Sequence, residues 1–143
     1  MSVAQILAEK GSMVVTIEGH KTIGDAVALL NKHRIGAVVV VDASGVVQGI
    51  FSERDVVRVL GEVGAEAARL PVSERMTRKV ATCTPAASLI DMLTMMTEGK
   101  FRHLPVVENG RLGGMVSIGD IVKYRLAQIE AESQALKDYI AAG

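Results

Sequence analysis

The sequence contains few aromatic residues: Phe, Tyr and Trp make up 3% of it, and Trp is absent. Protein surfaces that stack nucleic-acid bases need aromatic side chains as platforms. The formal net charge is zero, and the basic residues form no long run. We therefore expect neither nucleic-acid binding nor broad electrostatic attraction to a membrane surface.

The sequence has one cysteine, Cys83, so it can form no intramolecular disulfide. This cysteine use fits a reducing compartment. The N-terminus lacks the basic and apolar regions of a signal peptide, and no apolar run is long enough to span a bilayer. The expected location is cytoplasmic. Cys83 lies at the end of an apolar segment, where an inert packing residue is a simpler interpretation than a nucleophile.

Hydrophobic residues make up 49% of the 143 residues, and charged residues make up 22%. This composition supplies a sizeable core for one compact domain or for two very small ones that share a core. Apolar periodicity and turn residues predict the boundaries of the elements. In chain order the predicted elements are helix 2–9, strand 14–17, helix 22–34, strand 37–41, strand 46–51, a helix from 52, one helical turn at 72–76, strand 80–82, a helix from 88, strand 103–107, strand 112–117 and helix 117–141.

Each predicted helix has an apolar face that we expect to be buried. The helix from Thr22 begins with a capping box in which Asp25 stands in place of the usual Glu. The expected inner faces are Ile23, Val27 and Leu30 in this helix, Val56, Val57 and Leu60 in the helix from 52, and Leu89, Met92, Leu93 and Met96 in the helix from 88.

The two halves of the sequence repeat one another. Asp25 matches Asp91 at an offset of 66, and Asp55 matches Asp120 at an offset of 65. The repeat predicts an α+β fold of two tandem β-α-β-β-α units that pack about a pseudo-two-fold axis. We place the first unit at 8–62, a connection at 63–79, the second unit at 80–128, and a C-terminal helical extension at 129–143.

The repeat includes a junction at which a strand ends and a helix begins, with the pattern Ser-x-x-Asp. Ser52 and Asp55 form the first copy, and Ser117 and Asp120 form the second. For either copy alone, a capped helix would be a sufficient interpretation. A helix N-terminus can also bind phosphate, and a carboxylate there can accept hydrogen bonds from both ribose hydroxyls. The recurrence of the junction therefore favours a nucleotide site.

The sequence resembles a tandem pair of cystathionine-β-synthase (CBS) domains. The resemblance covers roughly residues 8–128. It rests on Thr16, Thr82, the Met76-Thr77 step, the segments 49–55 and 114–120 that contain the junctions, and Phe101-Arg-His-Leu-Pro-Val-Val107. It implies a regulatory module that binds AMP, ADP, ATP or NAD(H), with S-adenosylmethionine ranked lower and no metal required.

The resemblance also implies two clefts and the residues that line them. The aspartates of the junctions would bind ribose, and the serines would lie near ribose or phosphate. The residues implied at the two sites are Thr16, Ile17, Ile35, Gly36, Ala37, Val38, Ser52, Arg54, Asp55, Thr82, Cys83, Lys100, Phe101, Arg102, His103, Leu104, Pro105, Ser117, Ile118, Gly119 and Asp120.

The two clefts differ in charge. The second unit has Lys100, Arg102 and His103 where the first has Arg34, Gly36 and Ala37. We therefore expect Arg102 and His103 to meet the phosphate charge, with Arg54 as a further contributor. The plainer interpretations are a surface ion pair for Arg102 and a hydrogen-bonded core histidine for His103.

The C-terminal helix carries apolar residues at heptad-like spacing beyond the length that one unit needs. The positions in this seam are Val122, Leu126, Ile129, Ser133, Leu136 and Ile140. An apolar stripe of this kind predicts a homodimer. The partner surface would be either the same segment of a second copy or its N-terminal helix with Val3, Ile6 and Leu7.

The sequence lacks a phosphate-binding P-loop and a Gly-x-Gly-x-x-Gly turn, and its three histidines do not share metal-ligand spacing with Cys83. The expected function is that of a non-catalytic adenine-nucleotide sensor that regulates an unknown protein effector, with energy sensing as its role. One alternative is an interaction scaffold with vestigial clefts. A nucleotide-processing enzyme ranks third, because no general base or metal set accompanies the aspartates.

Overall fold

The structure is a computed structural model that describes all 143 residues. Six helices and five strands alternate in two similar halves, as the repeat predicts. The helices are α1 (Val3–Lys10), α2 (Ile23–His33), α3 (Glu53–Val63), α4 (Val72–Arg75), α5 (Leu89–Gly99) and α6 (Ile118–Ala142). The strands are β1 (Thr16–Glu18), β2 (Ala37–Val41), β3 (Val47–Ser52), β4 (His103–Glu108) and β5 (Arg111–Ser117). A 3₁₀ segment, Gly64–Arg69, follows α3.

The first half contains a three-stranded sheet in the order β1-β2-β3. Strand β2 pairs in parallel with β1 and antiparallel with β3, and all five of its residues are buried. A continuous run of Ala and Val is expected in a strand that is covered on both faces. The second half has only the two-stranded antiparallel pair β4-β5.

The predicted strand 80–82 does not form, and Pro105 explains why. In the first half, the Val39 N–H donates to the Val15 carbonyl and extends the contact between the strands. Pro105 occupies the position that matches Val39, and proline has no N–H to donate. Only Cys83 remains paired, through a single parallel bridge to Val106.

The segment that precedes each unit packs into the core of the other unit. Val3 and Ile6 of α1 are fully buried among the core residues of the second half. Val72 and Met76, from the connection before the second half, are buried in the core of the first. This exchange covers both sheets and joins the halves about the pseudo-two-fold axis.

The exchange corrects one expectation about the dimer. Val3 and Ile6 are 0% exposed within their own chain. They are therefore not available to the C-terminal helix of a second copy. Val3 and Ile6 of a second copy therefore cannot form the surface that covers the seam.

Three of the expected core residues are on the surface. The exposed fraction is 40% for Val27, 71% for Val57 and 48% for Leu60. On α2, Ala26 is buried in place of Val27, and on α3 the buried residues are Asp55 and Val59. The inner face of each helix is rotated by about one residue because each helix packs on both its sheet and the connection. The α5 face is buried as expected through Leu89, Met92 and Met96, with Leu93 partly buried.

Helix α6 packs on α5 and β5 through its first turns, where Ile121 and Tyr124 are buried. All residues from 131 to 143 are exposed. No helix of the chain is long and apolar enough to cross a membrane.

Candidate functional site

Both Ser-x-x-Asp junctions form as predicted, and each is attached to the strand beside it. The Asp120 carboxylate accepts the Ser117 N–H at 2.9 Å, and the Ser117 hydroxyl accepts the Asp120 N–H at 3.1 Å. At the first junction, Asp55 accepts the Ser52 N–H at 2.9 Å and the Ser52 hydroxyl at 3.2 Å. The first residue of each following helix donates its N–H to a carbonyl just before the neighbouring strand. The carboxylates are therefore held at fixed, equivalent places.

Asp55 is the only charged residue among the buried residues of the chain, with 6% of its surface exposed. Its Oδ1 accepts a hydrogen bond from Arg58 Nη2 at 3.1 Å and one from the Thr77 hydroxyl at 3.3 Å. Thr77 lies in the connection that leads to the second half. Asp55 thus joins three segments, and its negative charge is compensated mainly by Arg58.

Asp120 has a different partner, which the sequence did not reveal. The Lys10 ammonium donates to Asp120 Oδ2 at 2.6 Å and to the Met115 carbonyl at 2.8 Å. Burial alone would raise the pKa of Asp120, but the bond and charge of Lys10 and the bonds from Ser117 together keep this pKa below its usual value. Lys10 matches Met76 in the repeat, so the offset between the halves gave no indication of this ion pair.

A cleft of about 410 Å³ opens between the first junction and the start of β4. One wall contains Gly36, Ile50 and the junction 52–55 from the first half. Thr77 and the segment 79–81 form its edge, and residues 99–103 form the opposite wall. Both halves of the chain therefore contribute to one cavity, as expected for a ligand site between repeats.

The lining of this cleft is rich in positive charge. Arg54, Lys79, Lys100 and Arg102 line it, and none of them takes part in an ion pair. The acidic side chains in the lining are Glu53 and Asp55. The interpretation of Arg102 as a member of a surface ion pair is therefore wrong, and four cations without ion-pair partners line the cavity.

His103 of the second half lies close to Gly36 of the first half. A Cβ atom on Gly36 would lie 3.2 Å from both Cε1 and Nε2 of the imidazole ring, so glycine provides the space for His103. Burial lowers the pKa of His103, and the charges of Lys10 and Arg102 act in the same direction. Glu53 and Asp120 oppose this effect without cancelling it. The imidazole lines the cleft and is not enclosed in a core.

The structure brings only part of the predicted site together. The predicted residues that line the cleft are Gly36, Ser52, Arg54, Asp55, Lys100, Phe101, Arg102 and His103. The lining residues that the sequence analysis did not include are Ile50, Glu53, Thr77, Lys79, Val80, Ala81 and Gly99. Of these residues, Thr77 belongs to the Met76-Thr77 step of the family pattern, so the sequence carries a signal for it.

The other predicted residues lie away from this cleft. The residues outside its lining are Thr16, Ile17, Ile35, Ala37, Val38, Thr82, Cys83, Leu104, Pro105, Ser117, Ile118, Gly119 and Asp120. Of these, Ile17, Ala37, Val38, Cys83, Leu104 and Pro105 are buried in the cores. Five of these six residues belong to the strands β1, β2 and β4. Burial raises the pKa of the Cys83 thiol to about 11. Thr82 lies on a separate shallow surface pocket with Val46 and Val107.

Within this chain, no group of three or more His, Cys, Asp or Glu side chains lies close enough together to bind a metal ion. The fold and the cleft define a duplicated α+β module with a charged cavity between its repeats. A sequence model of the CBS domain matches residues 11–62 and again residues 72–127. The chain belongs to the CBS-domain family and contains a tandem pair.

Solved structures and curated relatives agree with this assignment. The CBS-domain-containing protein ATU1752 from Agrobacterium tumefaciens is 48% identical, with a TM-score of 0.85 over 87% of this chain and 92% of that one. The mitochondrial CBS-domain-containing protein CBSX3 of Arabidopsis thaliana is 35% identical over 126 residues. That match covers 85% of this chain and 61% of CBSX3, so this chain spans about three fifths of that relative's length.

A third comparison has ligands bound. The CBS-domain pair of protein MJ0100, in complex with 5′-methylthioadenosine and S-adenosyl-L-methionine, is 25% identical to this chain. The TM-score is 0.80, and the match covers 90% of this chain and 98% of that one. Adenosine compounds are therefore ligands of one CBS pair with this fold.

Proposed function

We propose that the chain is a non-catalytic regulatory module that binds a phosphate-bearing adenosine ligand in the cleft beside Asp55. The observation that carries this proposal is the set of four cations, Arg54, Lys79, Lys100 and Arg102, that face the cavity without ion-pair partners. Arginine and lysine bind phosphate through charge-assisted hydrogen bonds. AMP, ADP, ATP and NAD(H) fit this lining better than S-adenosylmethionine, whose sulfonium group is cationic.

The lining also contains groups for the other parts of such a ligand. Asp55 is the acceptor proposed for the ribose hydroxyls, and it would exchange its bond to Thr77 for them. Ile50, Val80 and Ala81 offer apolar surface for the adenine ring. The cations at residues 100 and 102 are left for the phosphates.

We further propose that one ligand binds per chain. The equivalent carboxylate, Asp120, already accepts the Lys10 ammonium at 2.6 Å. A ribose at the second junction would have to share the Asp120 carboxylate with this cation from the first helix of the chain, whereas Asp55 obtains its cation, Arg58, from its own helix. We therefore expect a ligand to bind more weakly at the second junction than at the first.

Signalling would follow from the position of the cleft between the halves. A ligand that touches both walls stabilises the arrangement that it fits best, by its difference in affinity between the two arrangements. The proposed role is energy sensing in the cytoplasm, with the output passed to a protein effector. We propose a homodimer as the assembly, supported by the exposed apolar residues of α6.

A second candidate is an interaction scaffold whose clefts no longer bind ligands. Two observations favour it: both oxygens of Asp55 already have hydrogen-bond donors within the chain, and Val57 and Leu60 on α3 are exposed. A nucleotide-processing enzyme remains the third interpretation, and turnover of a bound nucleotide would be its direct test.

Titration calorimetry of the chain with AMP, ATP, NADH and S-adenosylmethionine separates the first two candidates. A matched pair of ligands, AMP and 2′,3′-dideoxy-AMP, tests the contact with Asp55 without mutation of a buried residue. We expect one AMP per chain and weaker binding of the dideoxy compound. Binding of none of these ligands by the folded protein would favour the scaffold.

A further inference from the structure

The exposed stripe on α6 lies beside the face with which this helix packs on its own chain. Ile121 and Tyr124 are buried against the second half. The exposed fractions along the stripe are 47% for Val122, 54% for Leu126, 46% for Ile129, 60% for Leu136 and 67% for Ile140. Beyond residue 130 the helix has no buried residue. An unsupported helical extension with one apolar side is marginal in water.

The stripe has the two alternating positions of a coiled coil. Leu126, Ser133 and Ile140 are seven residues apart and form one set, and Val122, Ile129 and Leu136 form the other. In a two-stranded coil the residues that flank these positions come close to the partner helix. Arg125 and Glu132 precede the first set, and Lys123, Glu130 and Lys137 follow the second. The charges at these flanking positions can therefore discriminate between pairing modes.

A parallel, in-register pairing brings opposite charges together. In that geometry each flanking residue before the first set approaches the residue five positions later on the partner. Arg125 then meets Glu130 of the second copy, and Glu132 meets Lys137 of the second copy. The two-fold symmetry repeats both pairs, which gives four interhelical ion pairs with no like-charged contact among them.

An antiparallel pairing of the same stripe brings like charges together. When Leu126 lies beside Leu136 of the second copy, residues whose numbers sum to about 262 face one another. Glu130 then approaches Glu130 of the second copy, and Glu132 approaches Glu132 of the second copy. Lys123 approaches Lys137 of the second copy. Antiparallel registers shifted by seven residues avoid these contacts, but they align only four of the six seam positions. Among the arrangements that use the whole stripe, the charge pattern therefore favours the parallel, in-register one.

We infer that the α6 stripe binds the same segment of a second copy as a parallel, in-register two-stranded coiled coil. This inference rests on the proposed homodimer and adds its direction, its register and its ion pairs. Ser133 lies in the seam opposite Ser133 of the second copy, where a polar residue favours the in-register alignment at some cost in stability.

Disulfide formation tests the register in the ligand-free protein. The variant S133C places two thiols beside each other across the two-fold axis, while the matched control A131C places them on the outer faces. The native Cys83 is 6% exposed, so it contributes little to cross-linking under mild oxidation. We expect covalent dimers of S133C and not of A131C. A dimer by light scattering in which S133C does not cross-link, or cross-links no better than A131C, overturns the inference.

A charge exchange tests the direction. E132K should weaken the dimer, by about threefold to tenfold in dissociation constant, because it creates two Lys–Lys contacts. E132K/K137E should restore the original affinity to within about twofold, since the same pairs are formed with reversed signs. Failure of the double variant to recover overturns the parallel arrangement.

These tests separate the inference from the proposals on which it rests. A chain that is monomeric at micromolar concentration overturns both the homodimer and the coil. A dimer that fails the cross-linking and charge tests overturns the coil alone. Ligand binding at the Asp55 cleft is measured on the same protein by calorimetry and does not enter either result.

Discussion

Lys10 and Asp120 connect the first helix of the chain to the last one. The ammonium lies 2.6 Å from Asp120 Oδ2, and the side chains are 32% and 21% exposed. The equivalent carboxylate, Asp55, is paired with Arg58 of its own helix. The two halves therefore neutralise corresponding carboxylates in different ways, one locally and one through a contact between the ends of the chain.

Replacement of Lys10 with Met should lower the free energy of unfolding by about 1 kcal/mol, because a partly exposed charge-assisted bond is lost. Urea unfolding measures the change. Lys32→Met is the matched control, since Lys32 lies in the last turn of α2, is exposed and forms no ion pair. Equal stability of the two variants would contradict the prediction. If Lys10 also prevents a ligand from binding at Asp120, calorimetry should show two binding sites per chain in Lys10→Met and one in the parent.

The contribution of this ion pair should depend on pH. The pKa of Asp120 in the folded chain lies below the ordinary value of 3.8, so its stabilising effect is complete above that value and is lost as the pH falls through the folded pKa. The stability difference between the parent and Lys10→Met should stay constant between about pH 7 and pH 5 and shrink below about pH 4. A difference that is unchanged in strong acid would indicate that Lys10 acts through packing.

Replacement of Arg102 with Ala should weaken the binding of AMP by about tenfold or more and leave the binding of adenosine nearly unaffected, because in the proposed site the guanidinium contacts only the phosphate. Arg111→Ala is the matched control: Arg111 is exposed on β5 of the same half and forms no ion pair. Calorimetry with both ligands gives the comparison. Parallel losses for AMP and adenosine would place Arg102 outside the phosphate site.

His103 should make phosphate binding stronger at low pH. Burial lowers the pKa of His103, so its ring is mostly neutral at neutral pH. A phosphate in the cleft favours the protonated ring, and binding should take up a proton as the pH falls below about 6.5. His103→Gln keeps a polar side chain that does not titrate. The ratio of parent to variant affinity should rise from about pH 7.5 to pH 5.5, and a flat ratio would exclude the contact.

Gly49 and Gly114 occupy matching positions and should differ in their tolerance of Ala. A Cβ atom on Gly49 would lie 2.7 Å from Met76 Sδ and 2.8 Å from the Thr77 carbonyl oxygen. On Gly114 it would meet only the end of the Leu7 side chain, at 2.8 Å. Gly49→Ala should destabilise the chain by about 1–3 kcal/mol, and Gly114→Ala by less, because a side chain moves more readily than backbone. Thermal unfolding of both variants is the measurement.

Features set by local sequence were predictable. The capping box at Thr22–Asp25 forms as expected, and the helix that was expected from residue 88 begins with the same box at Ser88–Asp91, with reciprocal bonds between 3.0 and 3.3 Å in the two boxes. The offset between the halves predicted the duplicated fold, because a repeated pattern of hydrophobic and turn residues produces a repeated structure. Together these two kinds of pattern predict the helices and strands of both halves correctly, except for the strand at 80–82.

Features that depend on contacts between distant segments were not predictable. Nothing near Lys10 in the sequence indicates a bond to a residue 110 positions later. The inner faces of α2 and α3 depend on the connection that crosses them, so Val27 and Val57 appeared to be core residues. The loss of strand 80–82 could have been foreseen, since Pro105 cannot supply the N–H that Val39 supplies in the first half.

Because the segment that precedes each unit packs into the core of the other unit, the order of synthesis affects how the chain folds. Helix α1 is synthesised before the second half, yet Val3 and Ile6 are buried in one core cluster with residues of β4, β5 and α6. These apolar side chains must stay solvated, or be covered by another protein, until the second half has been synthesised. The first half can close earlier, because Val72 and Met76 follow it directly. Nascent-chain folding should thus proceed in two stages, with the N-terminus incorporated in the second.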